Sequence, residues 1–226
     1  MLKNYFILLF VSLVIGCSKH KESMNINLSI DGFKKGNIYL QKIKDSTLIN
    51  IDSVFVQNDK QIVLKYLINS PETFYINMDI SNNNRIEFFG EKGDISIKAS
   101  LKKFNSDFEI SGSFNDSIYR KYLNIINQFN YKRLELIKLS FEKAQKKQID
   151  SVELIESEIK NLNKRQYLYN LNYAVTNGDS NVAPFIALNE FSQESKIILD
   201  TIKNSLNKEV LTSKYGMMLK KIIETK

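Results

Sequence analysis

Phe108-Glu109-Ile110-Ser111-Gly112-Ser113-Phe114-Asn115-Asp116-Ser117-Ile118 is the stretch on which the fold of this 226-residue chain turns. Before Gly112 the apolar residues recur at every second position. After Asn115 they recur with the period of a helix, as in Ile118, Tyr122, Ile125 and Phe129. A strand sends alternate side chains to opposite faces, whereas a helix gathers residues three and four apart onto one face. The change of period predicts a boundary near Gly112 between a β part and a helical part, with Asn115 or Asp116 as the first N-cap.

Towards the N-terminus the alternation continues through Ile26-Leu28-Ile30, Ile38-Leu40, Ile49-Ile51, Ile62-Leu64, Phe74-Ile76-Met78, Ile86-Phe88 and Ile95-Ile97. Turn-forming residues separate these runs at Asp31-Gly32, Lys35-Gly36-Asn37, Asn69-Ser70-Pro71 and Gly90 to Gly93. About eight short strands, each with one apolar face, predict an antiparallel β-sandwich or open barrel over residues 25–112, connected as a meander.

Towards the C-terminus one apolar stripe comprises Ile118, Tyr122, Ile125, Phe129, Ile137, Phe141 and Ala144. A second, from about Gln148, carries Val152, Ile155, Ile159, Leu162, Tyr169 and Tyr173. Together they predict a long antiparallel helical hairpin. Gly178-Asp179-Ser180-Asn181 stops it, and a shorter helix is expected from Val182, with Pro184 tolerated in its first turn. Further helices are expected after a Ser192 cap, over Ile197, Ile198 and Ile202, and from about Asn207 to Ile223. The fold class is therefore α+β, with residues 113–226 as an α-helical domain.

The first residues carry a targeting pattern. Lys3 precedes an apolar run from Tyr5 to Ile15 that is too short to span a bilayer, which takes roughly 20 residues. Val14-Ile15-Gly16-Cys17 then has the form of a lipobox, which predicts a signal peptide over residues 1–16, lipid attachment at Cys17 and a lipidated tether over residues 17–24. Each buried methylene contributes about 0.8 kcal/mol, so a multiply acylated cysteine holds a membrane. The expected address is the cell envelope, at the outer membrane facing the periplasm.

Net charge is +7, from 32 Lys and Arg against 25 Asp and Glu, but the lysines are scattered through both halves and mixed with acids. That distribution describes a solvated surface rather than a nucleic-acid footprint, so no nucleic acid is expected as a partner. The chain has one histidine (His20), one cysteine (Cys17) and no tryptophan. Histidine-based triads and Cys or His metal sites lack their ingredients, and no catalytic residue, metal or cofactor is expected. Glu87, Glu91 and Asp94 form one grouping of acids, and Glu190 and Glu194 another. Tyr167 and Tyr169, near Arg165 and Tyr173, and Phe88-Phe89 are the candidate binding residues, because aromatic faces stack on ligands and partners. Tyr169 and Tyr173 also fall on the core stripe.

The order of parts resembles a known arrangement. The lipobox is followed by Ile30-Asp31-Gly32, by Gly36-Asn37-Ile38-Tyr39-Leu40 and by Asp52-Ser53. Ile110-Ser111-Gly112-Ser113 then leads into Tyr119 to Phe129, and Asp179-Ser180-Asn181-Val182-Ala183-Pro184-Phe185 follows. This resembles the N-terminal domain of unknown function in bacterial lipoproteins, where a TlpA/ResA-type thioredoxin-like domain with a Cys-x-x-Cys comes next. No Cys-x-x-Cys occurs in these residues, so the redox activity does not transfer. The resemblance implies a non-enzymatic, membrane-anchored accessory or protein-interaction module, with a thioredoxin-like envelope protein on a separate chain as the candidate partner. The alternative expectation is a periplasmic protein that binds a small molecule or glycan in a cleft between sheet and helices.

Overall fold

The computed structural model describes residues 23–58, 61–78 and 84–226; Cys17 and most of its tether lie outside the described residues. Among the described residues eight strands come first: β1 (Ser23–Asp31), β2 (Lys35–Lys44), β3 (Thr47–Gln57), β4 (Ile62–Leu67), β5 (Glu72–Met78), β6 (Arg85–Gly90), β7 (Gly93–Ser100) and β8 (Phe108–Ser111). They form two four-stranded sheets, ordered β4-β1-β7-β8 and β3-β2-β5-β6, which do not close into a barrel. Alternate residues of both sheets face one core, among them Met24, Ile26, Leu40, Phe74, Phe88 and Ile97, all fully buried.

The strands do not form a meander, and the sheets are not wholly antiparallel. β1 and β7 run parallel, from Met24 opposite Gly93 to Asp31 opposite Ser100. β2–β3, β5–β6 and β7–β8 each pair antiparallel with the next strand in the chain, as closely connected strands do. The whole second sheet separates β1 from β7 in the chain, so no hairpin fixes their direction. Lys35-Gly36-Asn37, expected as a turn, belongs to β2.

Six helices follow: α1 (Phe114–Gln145), α2 (Ile149–Thr176), α3 (Val182–Glu190), α4 (Lys196–Ser205), α5 (Lys208–Thr212) and α6 (Lys214–Glu224). The N-cap of α1 is Ser113 rather than Asn115 or Asp116; its side chain accepts from the Asp116 amide at 2.9 Å. Ser192 lies ahead of α4, whose N-cap is Ser195. The segment expected as one final helix is broken at Ser213, which donates to the Val210 carbonyl at 2.7 Å while its side-chain oxygen caps α6.

Contacts between α1 and α2 pair rising positions on one with falling positions on the other. Tyr122 meets Tyr173, Phe129 meets Tyr169, and Arg133 donates to Asn163 and Gln166. Further along, Leu136 packs with Ile155 and Leu162. Leu136 is the buried residue there, with Ile137 half-buried and Phe141 and Ala144 exposed. The long apolar stripe read from the sequence is thus buried only in part, because the small cluster around Leu136 closes no more than a narrow seam.

Gly112 sits at the junction of β8 and α1 with φ +90°, and a Cβ there would lie 2.1 Å from the Asp94 carbonyl oxygen. Gly93 also has positive φ, at +117°, but a Cβ added there would meet nothing within 4 Å. Left-handed strain alone costs about 1–2 kcal/mol. We expect Gly93→Ala to lose about that much in urea denaturation and Gly112→Ala to lose clearly more, the difference measuring the clash with the Asp94 backbone.

Candidate functional site

Strand β6 is the wall that the two halves share. Period-two alternation turns Phe88 into the β core and Phe89 into the helical core, and both are fully buried. Burying one such ring contributes roughly 1.5–3 kcal/mol. The Phe88 ring packs on Phe74 at 5.8 Å. The Phe89 ring meets Phe185, Tyr119 and Tyr215 edge-on at 5.4, 5.6 and 6.0 Å.

Because β6 is an edge strand, its outer backbone groups need partners, and α1 supplies them. The Phe89 amide donates to Asp116 Oδ1 at 2.9 Å, Ser113 Oγ donates to the Phe89 carbonyl at 2.8 Å, and Arg120 donates to the Glu87 carbonyl. Asp116 is 1% exposed and its charge is paired with Arg120 at 3.2 Å. Alongside, Glu91 accepts from the Phe114 amide at 2.5 Å and the Asn115 amide at 3.2 Å, where a helix N-terminus favours a negative charge. Asn115 Oδ1 in turn accepts from Ser180 Oγ at 2.9 Å and from the Asn181 amide at 2.7 Å. The Ser-Gly-Ser and Asp-Ser-Asn stretches that carried the family resemblance therefore meet at one polar joint.

A second joint lies where β5 begins. Glu72 is 6% exposed and accepts from Lys42 at 2.9 Å and from Lys214. Ser70 Oγ accepts from the Lys214 amide at 2.9 Å, and the Thr73 amide donates to Tyr215 Oη at 3.1 Å. Burial pulls on Lys42 to lose its proton, but hydrogen bonds to Tyr66 and Glu72 and the Glu72 charge outweigh it and hold its pKa above the ordinary value. Around this joint are two cavities, of about 510 and 590 Å³, which share Lys42, Lys214 and Met218.

The residues singled out in the sequence do not gather at either joint as one site. Tyr167 packs edge-on against Phe191 at 5.2 Å, with burial and the neighbouring Glu194 raising its phenol pKa. Tyr169 faces the other way, stacked on Tyr122 at 6.0 Å. Phe88 and Phe89 are enclosed in separate cores. Each acid has its own partner: Asp94 accepts from Asn25 at 2.8 Å, Glu190 from Asn170 at 2.9 Å, and Glu91 serves the α1 N-terminus. Sequence reasoning missed Lys42, Glu72 and Lys214. Its one available signal was a glutamate opening a strand that carries Phe74, Tyr75, Ile76 and Met78, since the two lysines stand 30 and 142 residues away.

Among the described residues no group of three or more His, Cys, Asp or Glu is placed to hold a metal ion. Nor is any helix among them long and apolar enough to cross a membrane.

Fold and joints together define an α+β protein in which helices close the outer face of β5 and β6. Residues 24–119 match the model of a family described as a domain of unknown function (DUF4369). That match takes in nearly all of the eight strands and the first turns of α1, so it includes Ser113 and Asp116. No curated protein matches the chain.

Glu87 lies under this interface, accepting from Tyr119 Oη at 3.3 Å and Tyr75 Oη at 3.5 Å. Burial raises its pKa, against the opposing pull of the Tyr119 hydrogen bond and of Arg120 and Arg85. Burial likewise pushes the Tyr75 phenol up to about 12. A carboxyl pKa raised by folding means the folded state holds the proton more tightly than the unfolded chain. Its contribution to stability is full below the unfolded value and is lost as pH rises through the folded value. Glu87→Gln should therefore melt a few degrees higher than the parent at pH 7, with the difference shrinking as pH falls towards 4 in thermal scans.

Proposed function

We propose that this protein is a lipid-anchored, non-enzymatic interaction module of the bacterial cell envelope, held by acylated Cys17 to the outer membrane on its periplasmic side. In this reading the two sheets are a β-sandwich, α1 and α2 are an antiparallel hairpin, and the distal part of that hairpin docks on another envelope protein. One observation supports it above others. Tyr131, Leu134 and Phe141 of α1 and Ile149 and Leu154 of α2 are each at least 60% exposed. Tyr131, Leu134 and Phe141 share one face of their helix by spacing. Exposed apolar residues scattered singly mean little, but a concentration of them on one stretch of structure marks an interaction surface. The acids near the sheet–helix joints, Glu72, Glu87, Glu91 and Asp116, are meanwhile engaged with the fold's own donors. The resemblance to lipoproteins that carry a thioredoxin-like domain motivates a thioredoxin-like envelope protein as the partner.

A second reading, binding of a small molecule, is favoured by the two cavities beside Lys42 and Lys214. It draws on those residues rather than on Tyr167, Tyr169, Phe88 and Phe89.

The test of the first reading is in vivo crosslinking of the protein in its native envelope, comparing the parent with Cys17→Ala and with Leu134→Glu/Phe141→Glu. We expect palmitate labelling and membrane fractionation to be lost in Cys17→Ala. One specific adduct should be lost in the double variant, whose melting temperature stays unchanged. An adduct that survives the double variant rules out docking through α1, and palmitate labelling that survives Cys17→Ala rules out the anchor.

A further inference from the structure

The positive charge beside β5 has an apolar companion. Lys42 and Lys214 hold a single carboxylate, Glu72, and Lys221 joins them on the same cavity wall, giving three positive charges against one negative. On that cavity too are Leu67, Met217 and Met218, which are 67%, 57% and 46% exposed. The fold itself gains nothing from holding these three side chains in water around a basic hollow. Methionine is unbranched and polarizable, and it suits surfaces that accommodate flexible apolar chains. The hollow, about 510 Å³, falls within the range of roughly 300–1,000 Å³ typical of small-ligand sites.

We propose that this groove binds a single-chain amphiphile with an anionic head, such as an alkyl carboxylate or alkyl phosphate. The head lies against Lys221 and the outward side of Lys214, and the chain lies along Leu67, Met217 and Met218. This inference rests on the small-molecule reading and names its ligand class. Positive charge selects the head: a neutral head leaves the excess unpaired, and a second cation is repelled. Exposed thioethers and Leu67 select the chain, since covering them removes apolar area from water and so favours binding. Glu72 keeps the floor in place, so the ligand does not have to break either of its ion pairs.

The geometry also explains why the joint is built as it is. Lys214 enters α6 with its amide on Ser70 and its ammonium on Glu72, so one residue fixes both the start of α6 and the positive wall of the groove. Met217 and Met218 follow on the next turn of that helix. A helix secured at that end presents its methionines at a fixed distance from the lysines, which is what a ligand with a head and a chain requires.

The test uses the full chain in neutral-detergent micelles with a dodecyl phosphate carrying a terminal diazirine. After irradiation, adducts are mapped by mass spectrometry. We expect labelling concentrated on the peptides containing Leu67, Met217 or Met218. It should be displaced by unlabelled dodecyl phosphate or laurate but not by inorganic phosphate at the same concentration. Lys221→Glu, which touches neither ion pair of Glu72, should reduce labelling at least fivefold with an unchanged melting temperature. Met218→Asp should do the same. Labelling that is spread over the surface, or undiminished in Lys221→Glu, overturns the proposal. Displacement by a neutral oligosaccharide equal to that by dodecyl phosphate keeps the small-molecule reading and overturns the anionic assignment. Labelling from a diazirine phosphatidylglycerol in nanodiscs, with none from the monomeric amphiphile, makes the patch a membrane contact and overturns the groove.

Discussion

The backbone of Phe89 is the constraint on which the rest of this structure depends. An edge strand leaves amide and carbonyl groups unpaired, and burying them without partners costs about 1–3 kcal/mol each. Here the second sheet ends at β6 and helices are laid over that end, so the groups at Phe89 and Glu87 must be satisfied by side chains. Ser113, Asp116 and Arg120 do this from the first two turns of α1. The same Ser113 caps the helix, so starting α1 and closing the sheet are one event. Because Asp116 is buried and paired, removing it costs more than a hydrogen bond. It leaves the buried Phe89 amide unpaired, which costs about 1–3 kcal/mol, and takes from Arg120 its carboxylate partner.

From that fixed point the helical part is built outward. Asn115 reaches the turn before α3 through Ser180 and Asn181, and Phe185 of α3 lies on the Phe89 ring. Tyr215 of α6 closes the other side of that ring while bonding Thr73 of β5. Phe89 is thus gripped by three helices and by its own strand's neighbour. The basic groove is a by-product of this arrangement, since seating Tyr215 under the sheet brings Lys214 to Glu72 and sets Met217 and Met218 at the rim.

How much of this was legible in the sequence follows from the range of each interaction. The period change at Gly112 is local, and it located the passage from β8 to α1. Strand existence was legible for the same reason, because each strand carries its own alternation. Strand neighbours were not: nothing in Met24 to Ile30 says that the partner is Gly93 to Ala99, or that it runs parallel. The cap of α1 was misplaced by two or three residues because Ser113, Asn115 and Asp116 are all good cap residues. Only Phe89, far away in the chain, decides that Asp116 is taken by the sheet. Adjacent Phe88 and Phe89 read as a candidate binding pair, yet a strand sends neighbours to opposite sides and there is a core on each. Lys42, Glu72 and Lys214 come from three distant segments, and no local pattern joins them.

The measurement that tests the central claim most directly is native-state hydrogen exchange of the parent and of Asp116→Ala, read at the Phe89 amide and across α3 and α6. If the Phe89 backbone fastens the two halves, protection at all three falls together in the variant, while β1 and β7 keep theirs. If only the first turn of α1 loses protection and α3 and α6 exchange as in the parent, the joint is a local helix cap and Phe89 does not fasten the two halves.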